Sequence, residues 1–73
     1  MQNRLLNIGK NIKINRKKQN LTQIELAVAV GIDRAYLSEI ENGKANISIN
    51  ILYAISDALE IDIKELFRTI KEA

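Results

Sequence analysis

Apolar side chains recur along the amino-terminal part of the chain at the spacing of an α-helix. Leu5, Ile8 and Ile12 fall on one stripe, because residues three or four positions apart lie on the same face of a helix. This pattern predicts a first helix from about Asn3 to Lys18. Ile14 lies about 180° from Leu5 around that helix, so it is either simply exposed or in contact with a partner.

A capping pattern marks the second helix. Thr22 and Glu25 have the spacing of a capping box, in which each side chain accepts a hydrogen bond from the other residue's backbone N–H. Gly31 can adopt the left-handed conformation that closes a helix. The second helix is therefore predicted to open at Thr22 and to end by Val30, after about two turns.

A third short helix follows almost at once. Asp33 is a favourable N-cap residue, Leu37 and Ile40 form an apolar ridge, and Asn42-Gly43 ends the pattern. Two short helices separated by a break of three or four residues predict a helix-turn-helix motif over about residues 22–42.

Two more capping signals follow the motif. Ser48 is predicted to cap a fourth helix. Asp62 and Glu65 repeat the capping-box spacing and predict a fifth helix that reaches about Ile70. The chain is thus expected to be one all-α domain of five helices, spanning residues 1–73.

The amino-acid composition excludes several classes of function. The 73 residues include no Cys and no His, which removes the thiolate nucleophile, the usual general base and the commonest metal ligands. We therefore expect no enzyme, no metal, no cofactor and no small-molecule ligand. No apolar run is long enough to span a membrane and no signal-peptide core is present, so a cytoplasmic protein is expected.

The charge is unevenly distributed, although the net charge is only +2. Residues 1–18 carry six lysines and arginines and no acidic residue, whereas the rest of the chain is net acidic. Such asymmetry fits an anionic partner that contacts one end of the chain. It fits a solvated basic helix face equally well.

Residues 21–43, LTQIELAVAVGIDRAYLSEIENG, resemble the helix-turn-helix of the phage-repressor (Cro and xenobiotic-response-element) family. Counted from Gln23, Ala27 is fifth, where a small residue lets the two helices approach closely, and Gly31 is ninth, at the turn. Ile8-Gly9 upstream and Asn46-Ile47-Ser48 downstream extend the resemblance over nearly the whole chain. The resemblance implies a compact five-helix, lambda-repressor-like DNA-binding domain with the motif formed by helices 2 and 3.

Within that family, Asp33–Ser38 and Asn46–Ile49 look most like the controller proteins of restriction–modification systems. Prophage repressors and antitoxins share most of the pattern, so those contexts stay open. The chain departs from the family in reading Asn15-Arg16 at the end of helix 1, Ala45 before the Asn, and Glu60 where a glycine commonly ends a helix.

The polar face of helix 3 is the part of this motif that enters the major groove. The candidate base-reading residues on this face are Arg34, Ala35, Ser38 and Glu39. Arg34 can bind guanine O6 and N7 together, Ala35 can pack on a thymine methyl and Glu39 can accept from cytosine N4. Without the motif, the same face would be interpreted as an ordinary solvated helix surface.

The resemblance also assigns contacts to the DNA backbone. The phosphate-contacting candidates are Gln23 at the start of the second helix, Tyr36 on the third helix between its core face and its groove face, and Asn42, Lys44 and Asn46 around the end of the third helix. Gln23 begins the second helix, where free backbone N–H groups and the helix dipole favour a phosphate. Such contacts position the protein and carry no sequence information.

Two further predictions concern packing. Arg16 and Glu41 match positions that form a salt bridge across the core in several relatives. The late helices are expected to form a homodimer interface through apolar side chains, namely Tyr53, Ile63, Phe67 and Ile70. The alternative is that these side chains only cover the core of one copy.

Taken together, the sequence predicts a sequence-specific transcriptional regulator that binds double-stranded DNA as a homodimer on an inverted repeat. The alternative is an antitoxin-like or adaptor module that uses the same fold to bind a protein.

Overall fold

The computed structural model describes residues 3–70, which form four α-helices and one short 3-10 helix. Helix α1 spans Arg4–Lys18, α2 spans Gln23–Val30, α3 spans Arg34–Glu41 and α4 spans Ile49–Ala58. The 3-10 helix spans Ile63–Phe67. The predicted all-α fold and its first four helices are confirmed.

The capping signals of α2 and α4 act as the sequence indicates. The Thr22 hydroxyl accepts from the Glu25 N–H at 3.1 Å, and the Glu25 carboxylate accepts from the Thr22 N–H at 2.8 Å. These hydrogen bonds hold the pKa of Glu25 below its ordinary value, so the capping box is intact at neutral pH. The Ser48 hydroxyl accepts from the Ile51 N–H. Asp33 occupies the N-cap position of α3, but its side chain accepts no capping hydrogen bond.

A single apolar core joins the helices. Its fully buried side chains recur at helical spacing on the inner faces of the elements: Ile12, Leu26, Leu37, Ile40, Ile55, Leu59 and Leu66. Leu37 and Ile40 lie on the inner face of α3, which packs against α1 and α2. Burying this face leaves the opposite side of α3 in solvent, which is the side that carries the candidate base-reading residues.

The prediction of a fifth α-helix is wrong. The Asp62 carboxylate accepts from the Lys64 N–H at 3.0 Å, and the Glu65 carboxylate pairs with Arg68 at 3.1 Å, so the expected capping box does not form. The segment is a five-residue 3-10 helix, and Arg68 after it is extended, with φ −63° and ψ 135°. The physical reason is that side chains of α1, described below, bond the carbonyl groups that a continuing helix would use.

Gly9 allows α1 and α3 to touch through their backbones. A Cβ atom at this position would overlap the carbonyl oxygen of Ile40 and lie 2.7 Å from that of Glu41. These carbonyl groups belong to the last two residues of α3, and the backbone atoms of a packed helix cannot move aside as a flexible side chain can. Any side chain at position 9 therefore forces the two helices apart.

Gly9→Ala is expected to lower the free energy of unfolding by at least about 1–3 kcal/mol, the usual cost of overpacking a core. In an uncrowded helix the same change would raise stability by about 0.5–1 kcal/mol, so the sign of the effect is informative. Urea unfolding of the variant and the wild type measures it. A more stable Gly9→Ala protein would contradict the close approach of the two helices.

Glu60 occupies a left-handed backbone position at the end of α4, with φ 56°. The Glu60 N–H donates to the Asp57 carbonyl at 3.1 Å and the Ile61 N–H donates to the Ser56 carbonyl at 3.0 Å. These two bonds form a Schellman motif, whose left-handed residue is usually glycine. The absence of glycine, noted in the sequence, therefore leaves a residue with a Cβ atom in an unfavourable conformation.

Glu60→Gly is expected to raise the free energy of unfolding by about 0.5–1 kcal/mol, because the relief of the left-handed strain exceeds the entropy that glycine loses on folding. Thermal unfolding monitored by circular dichroism measures the gain. Glu60→Ala removes the same carboxylate without relieving the backbone and should give no gain. Equal stabilisation by both variants would assign the effect to charge instead.

Candidate nucleic-acid interface

Helices α2 and α3 form the helix-turn-helix that the sequence predicts. Gly31 closes α2 with φ 86°, and the N–H groups of Gly31 and Ile32 both donate to the Ala27 carbonyl. Ala27 is 2% exposed, which is consistent with its role of letting the two helices approach. The turn and the buried inner ridge of α3 together fix the angle at which α3 projects from the domain.

The outer face of α3 carries all four candidate base-reading residues. Arg34, Ala35 and Glu39 are exposed and Ser38 is half-buried. Because the helix advances about 100° per residue, these side chains share one surface opposite Leu37 and Ile40. We call the surface formed by Arg34, Ala35, Ser38 and Glu39 the recognition face.

A buried ion pair anchors α3 to α1. The Arg16 Nε donates to Glu41 Oε2 at 2.7 Å and an Arg16 Nη donates to Glu41 Oε1 at 3.0 Å, a bidentate arrangement. The two side chains are only 8% and 2% exposed. The other Nη of Arg16 donates to the Leu21 carbonyl at 2.8 Å, so the guanidinium also holds the turn before α2.

Gln23 connects this ion pair to the recognition face. Its Nε2 donates to Glu41 Oε1 at 3.0 Å, and its Oε1 accepts from Arg34 Nη1 at 3.4 Å, which is a long hydrogen bond. A carboxylate only accepts hydrogen bonds, so Glu41 fixes the amide with its nitrogen inward and its oxygen toward Arg34. Sequence reasoning gave Gln23 a phosphate contact and missed this bridge, because only the fold brings residues 23, 34 and 41 together.

Of the other phosphate candidates, Tyr36 lies in the first turn of α3, and the remaining three follow its carboxyl end. Asn42 and Asn46 are exposed, as is Lys44. The Asn42 amide donates to the Ser38 carbonyl at 2.9 Å, and the Tyr36 hydroxyl donates to the Asn46 carbonyl at 3.1 Å. Tyr36 is half-buried, and its hydroxyl ties Asn46, in the loop after α3, to the helix.

The apolar residues predicted for a dimer interface are unequally exposed. Tyr53 is 52% and Phe67 48% exposed, whereas Ile63 and Ile70 are half-buried. Ile49, which is not among the predicted interface residues, is 55% exposed and lies one turn before Tyr53 on α4. We call the exposed set Ile49, Tyr53 and Phe67 the late apolar surface.

Residues 3–70 contain no group of acidic side chains arranged to hold a metal ion. None of the helices within these residues combines the length and apolar composition needed to cross a membrane.

Comparisons with known proteins agree with this geometry. A helix-turn-helix family model, HTH_3, matches residues 12–66. The control protein C.MunI of Mycoplasma sp is 42% identical over 60 residues, which cover 82% of this chain and 81% of that protein. The immunity repressor of Bacillus phage phi105 is 36% identical over 61 residues, covering 84% of this chain and 42% of the repressor.

Among solved structures, the restriction–modification controller protein C.AhdI from Aeromonas hydrophila superposes with a TM-score of 0.84 at 33% identity. The match covers 86% of this chain and 96% of that one. The chain therefore belongs to the HTH_3 helix-turn-helix family of DNA-binding transcriptional regulators.

Proposed function

We propose that the chain is a homodimeric regulator that reads an inverted-repeat operator, acting as the controller protein of a restriction–modification system. One observation carries this proposal. Arg34 is exposed on the outer face of α3, and its guanidinium donates a hydrogen bond to the side-chain carbonyl of Gln23 on α2. The controller subtype is supported by the similarity to C.MunI and C.AhdI, which extends over most of the length of both proteins.

In the proposed complex α3 enters the major groove with the recognition face toward the bases. Arg34 donates two hydrogen bonds to guanine O6 and N7, the commonest specific contact between proteins and DNA. Ala35 contacts a thymine methyl group and Glu39 accepts from a cytosine amino group, while Ser38 can donate or accept. These four residues supply the sequence discrimination.

The hydrogen-bonded chain from Glu41 through Gln23 to Arg34 lowers the conformational entropy that Arg34 loses on binding DNA. A long exposed arginine loses conformational freedom when it binds a base, and that loss opposes binding. The Gln23 carbonyl restrains the guanidinium before the DNA arrives, and Gln23 is itself held by Glu41. Preorganisation of this kind reduces the cost of binding and so favours the contact.

The phosphate backbone is contacted from both ends of the motif in this proposal. Asn42, Lys44 and Asn46 grip phosphates beyond α3, and Tyr36 contributes either directly or by holding the loop. The side-chain amide of Gln23 already bonds Glu41 and Arg34. Its contribution to phosphate binding therefore comes from the backbone N–H groups of Gln23 and Ile24 in the first turn of α2, since the capping box already uses those of Thr22 and Glu25.

A second copy of the chain completes the operator reader. A domain of 73 residues with no cysteine has a small core and no disulfide, and dimerisation is a common way to hide further apolar area. The late apolar surface lies on α4 and the 3-10 helix, outside the helix-turn-helix. Pairing there leaves both recognition faces free to enter successive major grooves about 34 Å apart.

Selection from a random duplex pool, followed by sequencing, tests the proposed function. The expected result is an enriched pair of inverted half-sites with centres about 10 base pairs apart. A pool without an enriched motif at micromolar protein would contradict the proposal. It would favour the antitoxin-like or adaptor alternative, in which the fold binds a protein.

Affinity for the selected operator is expected to fall by about 1,000-fold or more between about 50 and 200 mM salt, because phosphate contacts from two copies release many counterions. Fluorescence anisotropy titrations across that range measure the slope. Lys44→Ala should make the slope shallower by about one per contact removed. An affinity that does not change with salt would be inconsistent with a groove-and-phosphate interface.

A further inference from the structure

Two asparagine side chains of α1 hold the end of the described chain. The Asn11 amide donates to the Leu66 carbonyl at 3.0 Å and to the Arg68 carbonyl at 2.7 Å. One turn earlier, the Asn7 amide donates to the Arg68 carbonyl at 2.9 Å, and its oxygen accepts from the Ile70 N–H at 3.1 Å. We call these two residues the asparagine clamp.

The clamp changes the course of the chain after Phe67. In a continuing α-helix the Leu66 carbonyl would accept from the N–H four residues later, at position 70. Here that carbonyl bonds Asn11, and the Ile70 N–H bonds Asn7 instead. The amides of α1 thus replace the helix's own hydrogen bonds and allow the segment after the 3-10 helix to extend.

The 3-10 helix and the extended course after it separate the apolar side chains of this segment, because Ile63 and Phe67 lie in the 3-10 helix and Ile70 lies beyond it. In a helix, Ile63, Phe67 and Ile70 would share one face, because they are three or four positions apart. In this structure Phe67 is 48% exposed, while Leu66 is fully buried and Ile70 is half-buried. Phe67 therefore projects outward from a backbone that is fixed on both sides.

Charge around Phe67 suits a second copy of the chain as the occupant of this surface. Glu65 and Arg68 flank Phe67 and form an exposed ion pair at 3.1 Å. In a two-fold symmetric interface the same patch meets itself, so a patch that carries both signs can place each charge opposite its complement. A patch of one sign would repel its own copy.

We propose that Asn7 and Asn11 are positioning residues for the dimer: they fix the segment that presents Phe67 to the second copy. The proposal rests on the homodimer in the proposed function. It predicts that a residue of α1 outside the contact surface controls the strength of dimerisation.

Sedimentation equilibrium of Asn7→Ala tests the clamp. The dimer dissociation constant is expected to rise by about tenfold, the size of coupling found between groups in one hydrogen-bond network. Hydrogen exchange of the Ile70 N–H should accelerate in the same variant. Asn7→Asp keeps the acceptor for Ile70 but sets a carboxylate oxygen, which cannot donate, against the Arg68 carbonyl, so a rise at least as large as that of Asn7→Ala is expected.

Asn15→Ala is the matched control. The Asn15 amide donates to the backbone carbonyl of Asn11, which lies in the same helix, and not to the segment after the 3-10 helix. This variant should dimerise like the wild type. An unchanged dissociation constant in Asn7→Ala, with faster exchange at Ile70, would overturn the clamp and leave the dimer standing. A wild type that stays monomeric when bound to its operator would overturn the dimer itself, and the clamp's role with it.

Discussion

Replacing Arg34 by alanine is expected to remove most of the discrimination between the operator and unrelated DNA while leaving the fold intact. Arg34 is exposed, and its side chain contributes nothing to the buried core. A bidentate contact with guanine is worth about 1–3 kcal/mol of discrimination, or about 5- to 150-fold in each half-site. Competition titrations of the selected operator against a scrambled duplex measure the specificity ratio directly.

Lys44→Ala provides the control for this experiment, since Lys44 is a phosphate candidate rather than a base reader. It should weaken binding to the operator and to the scrambled duplex by similar factors and leave their ratio unchanged. If Arg34→Ala behaves in the same way as Lys44→Ala, Arg34 contacts the backbone and the recognition face has been assigned to the wrong side chain.

Replacing Glu41 by alanine is expected to lower the free energy of unfolding by about 3–5 kcal/mol. The Arg16 guanidinium would then lie buried without the carboxylate that it bonds at 2.7 Å and 3.0 Å. An uncompensated buried charge is costly, and a small domain has only about 5 kcal/mol of stability to lose. Urea unfolding at neutral pH measures the change, and much of the Glu41→Ala protein is expected to be unfolded at 37 °C.

Glu65→Ala is the matched control, because Glu65 also pairs with an arginine but at the surface. Because Glu65 borders the proposed dimer surface, both variants are compared at a protein concentration low enough to keep the chain monomeric. The Arg68 side chain of that pair is 73% exposed, so solvent screens the interaction. The expected loss is at most about 1 kcal/mol. Equal losses in the two variants would mean that the Arg16–Glu41 pair is not desolvated in solution. Replacing both Arg16 and Glu41 by apolar residues should restore much of the stability.

Local signals in the sequence were sufficient for most of the fold. Thr22, Glu25 and Ser48 act through residues three positions away, so their capping roles could be predicted without any knowledge of tertiary structure. Gly31 likewise closes α2 through its own left-handed backbone. Such interactions lie within a single turn of chain, which is why the first four helices were predicted correctly.

The fifth helix could not be judged from local signals. Asp62 and Glu65 have the spacing of a capping box, but Asn7 and Asn11 bond carbonyl groups 55 to 61 positions away and direct the chain elsewhere. Asparagine competes effectively for backbone groups, and nothing in the pattern of α1 indicates which backbone it will meet. Tertiary contacts therefore overrode the helical pattern of residues 62–70.

The candidate site also combines features that local sequence signals predict with features that depend on tertiary contacts. The outward position of Arg34 and Glu39 follows from helical periodicity once Leu37 and Ile40 are assigned to the core. The bridge through Gln23 does not, because it depends on three helices converging at the Glu41 carboxylate. Resemblance to a family suggested the Arg16–Glu41 pair, and the structure adds that this pair reaches the recognition face.

The contact that we claim between Arg34 and a guanine in the major groove can be tested by changing one atom of the operator. Replacing the guanine of each half-site by 7-deazaguanine removes the N7 acceptor and leaves the base pair intact. The wild type is expected to lose about tenfold in affinity for each half-site, whereas Arg34→Ala should lose nothing further, since the contact is already absent. Equal losses in both proteins, or no loss in the wild type, would contradict the claim.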